Sequence, residues 1–125
     1  MYHFAMTESV NGQSTVWVFT LNNYTDDDQE RIRSTVIQGV VRYVIFGRET
    51  GASGTPHLQG FVQFLSRKRL RSAKEVLGAR CHLQPARSVD HAINYCKKDG
   101  DWEEHGNLVR HGQRCDFELF MAELS

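Results

Sequence analysis

Val41-Arg-Tyr-Val-Ile-Phe-Gly-Arg-Glu49 and His57-Leu-Gln-Gly-Phe-Val-Gln-Phe-Leu65 are two β-branched and aromatic runs separated by Thr50-Gly-Ala-Ser-Gly-Thr-Pro56. The runs have strand composition and the segment between them consists of turn formers, which predicts an antiparallel hairpin with a long tip. The simplest symmetric register sets Glu49 opposite His57, and directly opposed residues share a face with Cβ atoms about 4.5–5.5 Å apart. Gln59 lies two residues on and shares that face, while Leu58, Val62 and Phe64 alternate to the other side and belong to the core. One carboxylate, one imidazole and one amide oxygen then converge. Such a donor set suits a hard or intermediate divalent ion, Mg²⁺ or Mn²⁺, with waters completing the octahedron, and does not suit a structural zinc. A slip of one residue would send His57 to the opposite face, and the alternative reading is three polar side chains on an ordinary wet sheet.

Outward from the hairpin the same logic extends to both termini. Residues 15–21, Thr-Val-Trp-Val-Phe-Thr-Leu, read as a buried strand that Asn22-Asn23-Tyr24 ends. Thr25 followed by Asp26, Asp27 and Asp28 is a helix start, with Ile32 and Val36 as its buried stripe and Gly39 as its stop. Ser66 is expected to cap a second helix in which Leu70, Ala73, Val76 and Leu77 face inward, closed by Gly78. Residues 80–84 read as a short strand. Ser88 begins a third helix with Val89, Ile93 and Cys96 as its apolar stripe, ended by Gly100. The expectation is one α+β domain over residues 15–108, a central antiparallel sheet flanked by helices. Residues 1–14 are expected to form a flexible tail, and 109–125 an extension with a short helix around 117–124.

The chain has 125 residues, 40% of them hydrophobic, with 15 Lys+Arg against 15 Asp+Glu. That is one domain's length, and its apolar content excludes a disordered chain. No apolar run approaches the ~18 residues of a membrane span, so no membrane partner is expected. Three cysteines, at 81, 96 and 115, make an odd count that points to a reducing compartment without a disulfide framework. Charge is unevenly placed. Residues 66–98 hold nine basic side chains and two acidic ones, nine minus two giving +7, so the remainder carries −7. Such asymmetry points to an anionic partner, nucleic acid first, or to a solvated helix face balanced by acids elsewhere.

On the third helix Tyr95 falls opposite the apolar stripe, with His91 and Lys98 beside it at helical spacing. An outward tyrosine next to an ammonium can serve as a nucleophile, because positive charge stabilises a phenolate oxygen. Most exposed tyrosines are simply amphipathic surface residues.

Phe19-Thr-Leu-Asn-Asn23, Pro56-His-Leu-Gln-Gly-Phe61 and Tyr95-Cys-Lys-Lys-Asp-Gly100 resemble, in order and spacing, the three motifs of rolling-circle replication initiators. More narrowly, they resemble the N-terminal endonuclease domain, of the HUH superfamily, of Rep proteins from circovirus-like viruses with circular single-stranded DNA genomes. The resemblance covers roughly residues 15–107. The family's second motif often has two histidines; the second position here is Gln59, as in the circovirus branch. Gly47-Arg-Glu49 resembles the strand with the acidic metal ligand, and Gly78-Ala-Arg-Cys-His82 also looks like this branch.

The resemblance implies an RRM/ferredoxin-like fold with a sheet of about five strands, and a specific chemistry. Glu49, His57 and Gln59 would hold Mn²⁺ or Mg²⁺, and Tyr95 would attack the scissile phosphate to give a 5′-phosphotyrosine and a free 3′-hydroxyl. Lys98 would stabilise charge in the transition state. Thr20, Leu21, Asn22 and Asn23 would line the DNA-binding face, and Arg67, Lys68 and Arg71, on a basic helix over 66–74, would track phosphates. Residues 51–56 fit a loop touching DNA. The implied partner is single-stranded DNA at a viral origin stem-loop in the host nucleus. The implied protein carries a following helicase domain and oligomerises, while the isolated domain is monomeric.

Three other readings compete. A noncatalytic single-strand-binding module also explains the sheet and the basic segment, without requiring Glu49, His57, Gln59 and Tyr95 together. Cys81, His82, His91 and Cys96 could form a zinc site, although adjacent Cys81 and His82 give poor tetrahedral geometry. Arg67-Lys-Arg-Leu-Arg71 resembles a nuclear import signal. The chain has no GxxxxGK[ST] segment, hence no P-loop.

Overall fold

The structure, a computed structural model, describes residues 12–110. Its elements are β1 (Gln13–Asn22), α1 (Asp26–Ile37), β2 (Val41–Thr50), β3 (Pro56–Arg69), α2 (Leu70–Leu77), β4 (His82–Pro85), α3 (Val89–Cys96) and β5 (Trp102–Gly106). The strands form one antiparallel sheet in the order β4-β1-β3-β2-β5. This is the expected α+β fold, with the hairpin at the centre. No described helix is long and apolar enough to cross a membrane.

Both faces of the sheet are covered. On one, Trp17, Phe19, Leu21, Val44, Phe46, Leu58, Val62 and Phe64 pack with Ile32 of α1 and with Ala73 and Leu77 of α2. On the other, Val16, Tyr43, Ile45 and Phe61 pack with Ala92, Ile93 and Cys96 of α3. Central strands buried on both sides explain why β2 and β3 read as near-continuous apolar runs. Gly60 lets the Phe19 ring lie across β3; a Cβ there would come within 2.1 Å of the ring.

Local caps behave as the sequence indicates. Thr25 Oγ1 accepts the Asp28 N–H at 3.1 Å while Asp28 accepts the Thr25 N–H at 2.9 Å, a reciprocal capping box. Asp28 is buried, and burial alone would raise its pKa. Hydrogen bonds from Arg80, from the Thr25 backbone and from Arg31 outweigh that and hold it well below the usual carboxylate range.

The second helix departs from expectation. β3 runs to Arg69, and α2 begins at Leu70 behind an Arg69 cap with no side-chain bond, so Ser66 caps nothing. The cause is pairing: Lys68 and Arg69 lie opposite Ser14 and Gln13 of a β1 that starts earlier than the pattern suggested. Leu70 is exposed rather than inward. The short fourth strand is His82–Pro85, not 80–84; it is an edge strand, where a proline is tolerated. β5 leaves no periodic signal in the sequence, because Trp102-Glu-Glu-His-Gly106 carries too few apolar residues to announce a strand. The proposed helix around 117–124 lies outside the described residues.

Candidate active site

The hairpin pairs in its symmetric register: Glu49 opposes His57, and Gly47 opposes Gln59. Across β3's other edge, Asn22 opposes His57 and Thr20 opposes Gln59. Residues opposed in a row share a face. Thr20, Asn22, Glu49, His57 and Gln59 therefore form a polar strip at the end of the face that α3 covers. The strip continues an apolar cluster: Glu49 is buried, Thr20, His57 and Gln59 are half-buried and Asn22 is exposed.

Glu49 is only 8% exposed. Its Oε1 lies 3.1 Å from His57 Nε2, and Lys98 forms an ion pair with Oε2. Oε2 is buried and receives no hydrogen bond of good geometry, so the Lys98 contact is one of charge. The Lys98 ammonium is partly desolvated, which works against it, yet Glu49 keeps its pKa above the ordinary lysine value.

His57 Nδ1 sits 3.4 Å from the Thr55 carbonyl oxygen. A proton on Nδ1 serves that carbonyl and leaves the Nε2 lone pair aimed at Glu49, the usual arrangement of a metal-ligating histidine. In that tautomer two lone-pair atoms face each other beside a buried carboxylate oxygen, an arrangement that fits a cation; in the other, Nε2–H donates to Glu49 Oε1. Among the described residues no group of three or more His, Cys, Asp or Glu side chains gathers as a metal cluster. A cation here would thus have Glu49 and His57 as ligands, with the Gln59 amide oxygen, on the same face, as the third.

α3 is capped by Ser88, whose Oγ accepts the His91 N–H at 3.3 Å. Its buried side anchors on the sheet and leaves Tyr95 facing outward, 47% exposed. Tyr95, His91, Arg87, Ala92, Val18 and Gln59 line an open cleft of about 530 Å³. Lys98 Nζ lies 4.3 Å from the Tyr95 ring centroid. One ammonium thus reaches both the Glu49 carboxylate and the tyrosine, and Gln59 shares a cleft with the same ring. Glu49, His57, Gln59, Tyr95 and Lys98, distant in sequence, form one continuous site.

The DNA-facing residues expected from sequence divide. Asn22 and Asn23 are exposed and Thr20 is half-buried at the strip. Leu21 is 1% exposed in the core on the opposite face, so its side chain cannot line a binding face; alternation along β1 sends it inward. Arg67 and Lys68 lie on β3 and not on a helix, with only Arg71 in α2. Arg67 is ten positions along β3 from His57, about 30 Å. The structure does not bring this basic cluster to the site. The zinc alternative also fails: Cys81 is buried in the cluster beneath α1 and α2, whereas Cys96 is in the cluster beneath α3. Burial pushes their thiols up to about 11 and about 12 respectively.

Sequence reasoning missed Arg48. Its Nε donates to Gln29 Oε1 at 2.9 Å, its Nη1 to Asp101 Oδ1 at 2.8 Å, and its Nη2 pairs with Glu103. Its backbone N–H donates to the Asp101 carbonyl at 2.7 Å. These bonds fix the connection from α3 to β5, the stretch that carries Lys98. Partners that far apart along the chain leave no local signal.

Residues 14–99 match the family model of a putative viral replication protein. The replication-associated protein of beak and feather disease virus is 47% identical over 87 residues, 68% of this chain and 29% of that protein. That of porcine circovirus 2 is 40% identical over 111 residues, 86% of this chain and 35% of that protein. That of canary circovirus is 44% identical over 86 residues, 68% of this chain and 29% of that protein. The chain spans roughly a third of the length of these curated relatives. With a family match that takes in β1, the hairpin and α3, and hence the whole polar strip and Tyr95, the chain belongs to the viral replication proteins.

Proposed function

We propose that this domain is a metal-dependent endonuclease and strand transferase that nicks single-stranded DNA at a viral replication origin, with Tyr95 as nucleophile. The observation that carries the reading is the reach of Lys98, whose ammonium pairs with Glu49 and stands over the Tyr95 ring. Tyr95 Oη attacks the scissile phosphorus: the Oη–P bond forms, the P–O3′ bond breaks, the phenolic proton leaves to solvent and the departing 3′-oxygen gains one. The phosphotyrosine keeps a phosphodiester's bond energy, so a new 3′-hydroxyl reverses the step and rejoins the strand. Lys98 stabilises negative charge on the phosphoryl oxygens as they crowd the phosphorus. Mn²⁺ or Mg²⁺ held by Glu49, His57 and Gln59 would neutralise charge on the non-bridging oxygens.

The partner is the single-stranded segment of an origin stem-loop, bound by the domain as a monomer in the host nucleus. A base-stacking module would carry several aromatics on an open sheet face. Tyr95 is the one exposed aromatic among the described residues, which favours the enzyme. The test is incubation with single-stranded DNA containing a candidate origin and Mn²⁺, followed by a denaturing gel. A shifted band that is protein linked to the 5′ end of the downstream fragment supports the reading; cleavage without a covalent adduct defeats it.

A further inference from the structure

The Arg80 side chain is 54% exposed, and exposed ion pairs add little to stability. Its guanidinium nevertheless meets three acceptors. Nη1 donates to Asp28 Oδ2 at 2.8 Å, and Nη2 donates to the carbonyls of Asn22 and Asn23, both at 2.9 Å. Those carbonyls belong to the turn between β1 and α1, where Asn23 adopts φ 55 and its N–H donates to the Pro56 carbonyl at 2.7 Å. Asp28 is itself immobilised by the capping box and by Arg31 at 3.0 Å. Arg80 thus ties a left-handed turn to a carboxylate that is already fixed.

The segment Gly78-Ala-Arg-Cys-His82 is built to deliver that guanidinium. Gly78 turns the chain at φ 121, a conformation that favours glycine. Cys81 is 1% exposed in the core, and His82 pairs with Thr20. Arg80 is therefore anchored on both sides, while the side chains it leaves outward, Asn22 and Asn23, stand beside His57.

We propose that Arg80 is a positioning residue for sequence recognition: it clamps the turn so that the Asn22 and Asn23 amides meet base edges in one fixed geometry. The inference rests on the single-stranded DNA reading above. Amide side chains discriminate bases by paired hydrogen bonds, whose worth depends on alignment. Lysine cannot replace this arginine, since a single ammonium lacks the planar fork that spans a carboxylate and two carbonyls. Loss of Arg80 leaves Asp28 its bonds to Thr25 and Arg31, so the fold persists while the turn loosens.

A pool of randomised single-stranded oligonucleotides with Mn²⁺ tests this, covalent adducts being recovered and sequenced. The proteins compared are the wild type, Arg80→Lys, Arg80→Ala, Asn22→Ala/Asn23→Ala and the triple variant. The wild type enriches a short motif. Both Arg80 variants still form adducts at saturating DNA, melt within a few degrees of wild type, and lose roughly tenfold of the enrichment at the best-defined position. The triple variant flattens no further than the asparagine pair, because the clamp acts only through those residues. Undiminished enrichment in Arg80→Ala, or losses that add in the triple variant, would overturn the clamp. Absence of adduct from the wild type counts against the nicking reading instead. Selection of the same pool by retention on the protein without metal then decides the clamp by the same comparison.

Discussion

Gly47 faces the carbonyl oxygen of Cys96 so closely that a Cβ on it would lie 2.1 Å from that oxygen. The last turn of α3, which carries Tyr95, therefore rests directly on β2 two residues before Glu49, and the chain just beyond it brings Lys98 to the carboxylate. A methyl group at Gly47 must lift that turn against backbone, not against a flexible side chain. Gly47→Ala should lose about 1–3 kcal/mol of stability, seen as a drop of several degrees in Tm. Its nicking rate should fall far more than its DNA affinity, as gel assay and fluorescence anisotropy would show.

Tyr95→Phe removes one oxygen from a half-exposed ring and should leave Tm and DNA affinity unchanged. Covalent adduct should vanish. Tyr43 cannot substitute, because it is 5% exposed, its hydroxyl donates to Glu104 at 2.6 Å, and burial followed by that carboxylate pushes its pKa up. A persisting 5′-linked adduct in Tyr95→Phe would dismiss Tyr95 as the nucleophile.

Chelation should abolish cleavage and leave binding largely intact. His57→Ala should match chelation in activity with a small change in Tm, its side chain being 18% exposed against 5% for that of Glu49. Glu49→Ala should cost more, about 1–3 kcal/mol, because Glu49 is buried and Lys98 loses its partner. Urea denaturation of the two variants separates these cases; equal losses would contradict the burial difference.

Acid should destabilise the domain through Glu103. The Arg33 guanidinium lowers its pKa from 4.5 to about 2, burial opposes this, and His105 and Arg48 add to the lowering. A depressed carboxylate contributes stability that is complete above its unfolded value and is lost as pH falls through the folded one. The loss therefore falls between about pH 4.5 and 2. Partial exposure limits it to about 1–2 kcal/mol. Glu103→Gln should be less stable at pH 7 and show a flatter stability curve across that window, measured by urea titration.

Neutralising Arg67, Lys68 and Arg71 should leave binding of a short oligonucleotide at the strip unchanged, since about 30 Å of β3 lies between. A longer strand that crosses the sheet should bind more weakly and with a shallower salt slope. A weakened short complex would show that the cluster acts at the site by long-range charge.

Local chemistry alone determined the hairpin, its register from Tyr43 to Thr50 and the side-chain parity there, but not the irregularity between Val41 and Tyr43 that puts Val41 in the cluster of Phe64. Strand period is two, and a loop of Gly, Ser, Thr and Pro between matched apolar runs leaves one symmetric pairing. The Thr25 and Ser88 caps and the outward Tyr95 were legible for the same reason: each depends on neighbours within a helical turn or two. The tertiary structure decided what depends on partners far along the chain. β3 outruns Ser66 because β1 offers it further hydrogen bonds. Trp102–Gly106 becomes a strand because β2 has a free edge and Arg33 and Arg48 hold Glu103 there. Lys98 turns to Glu49, Arg80 reaches the Asn22 turn, and Leu21 and the basic cluster leave the site. Charge and hydrogen-bond pairing act through space, and sequence spacing carries no record of which distant group will be within reach.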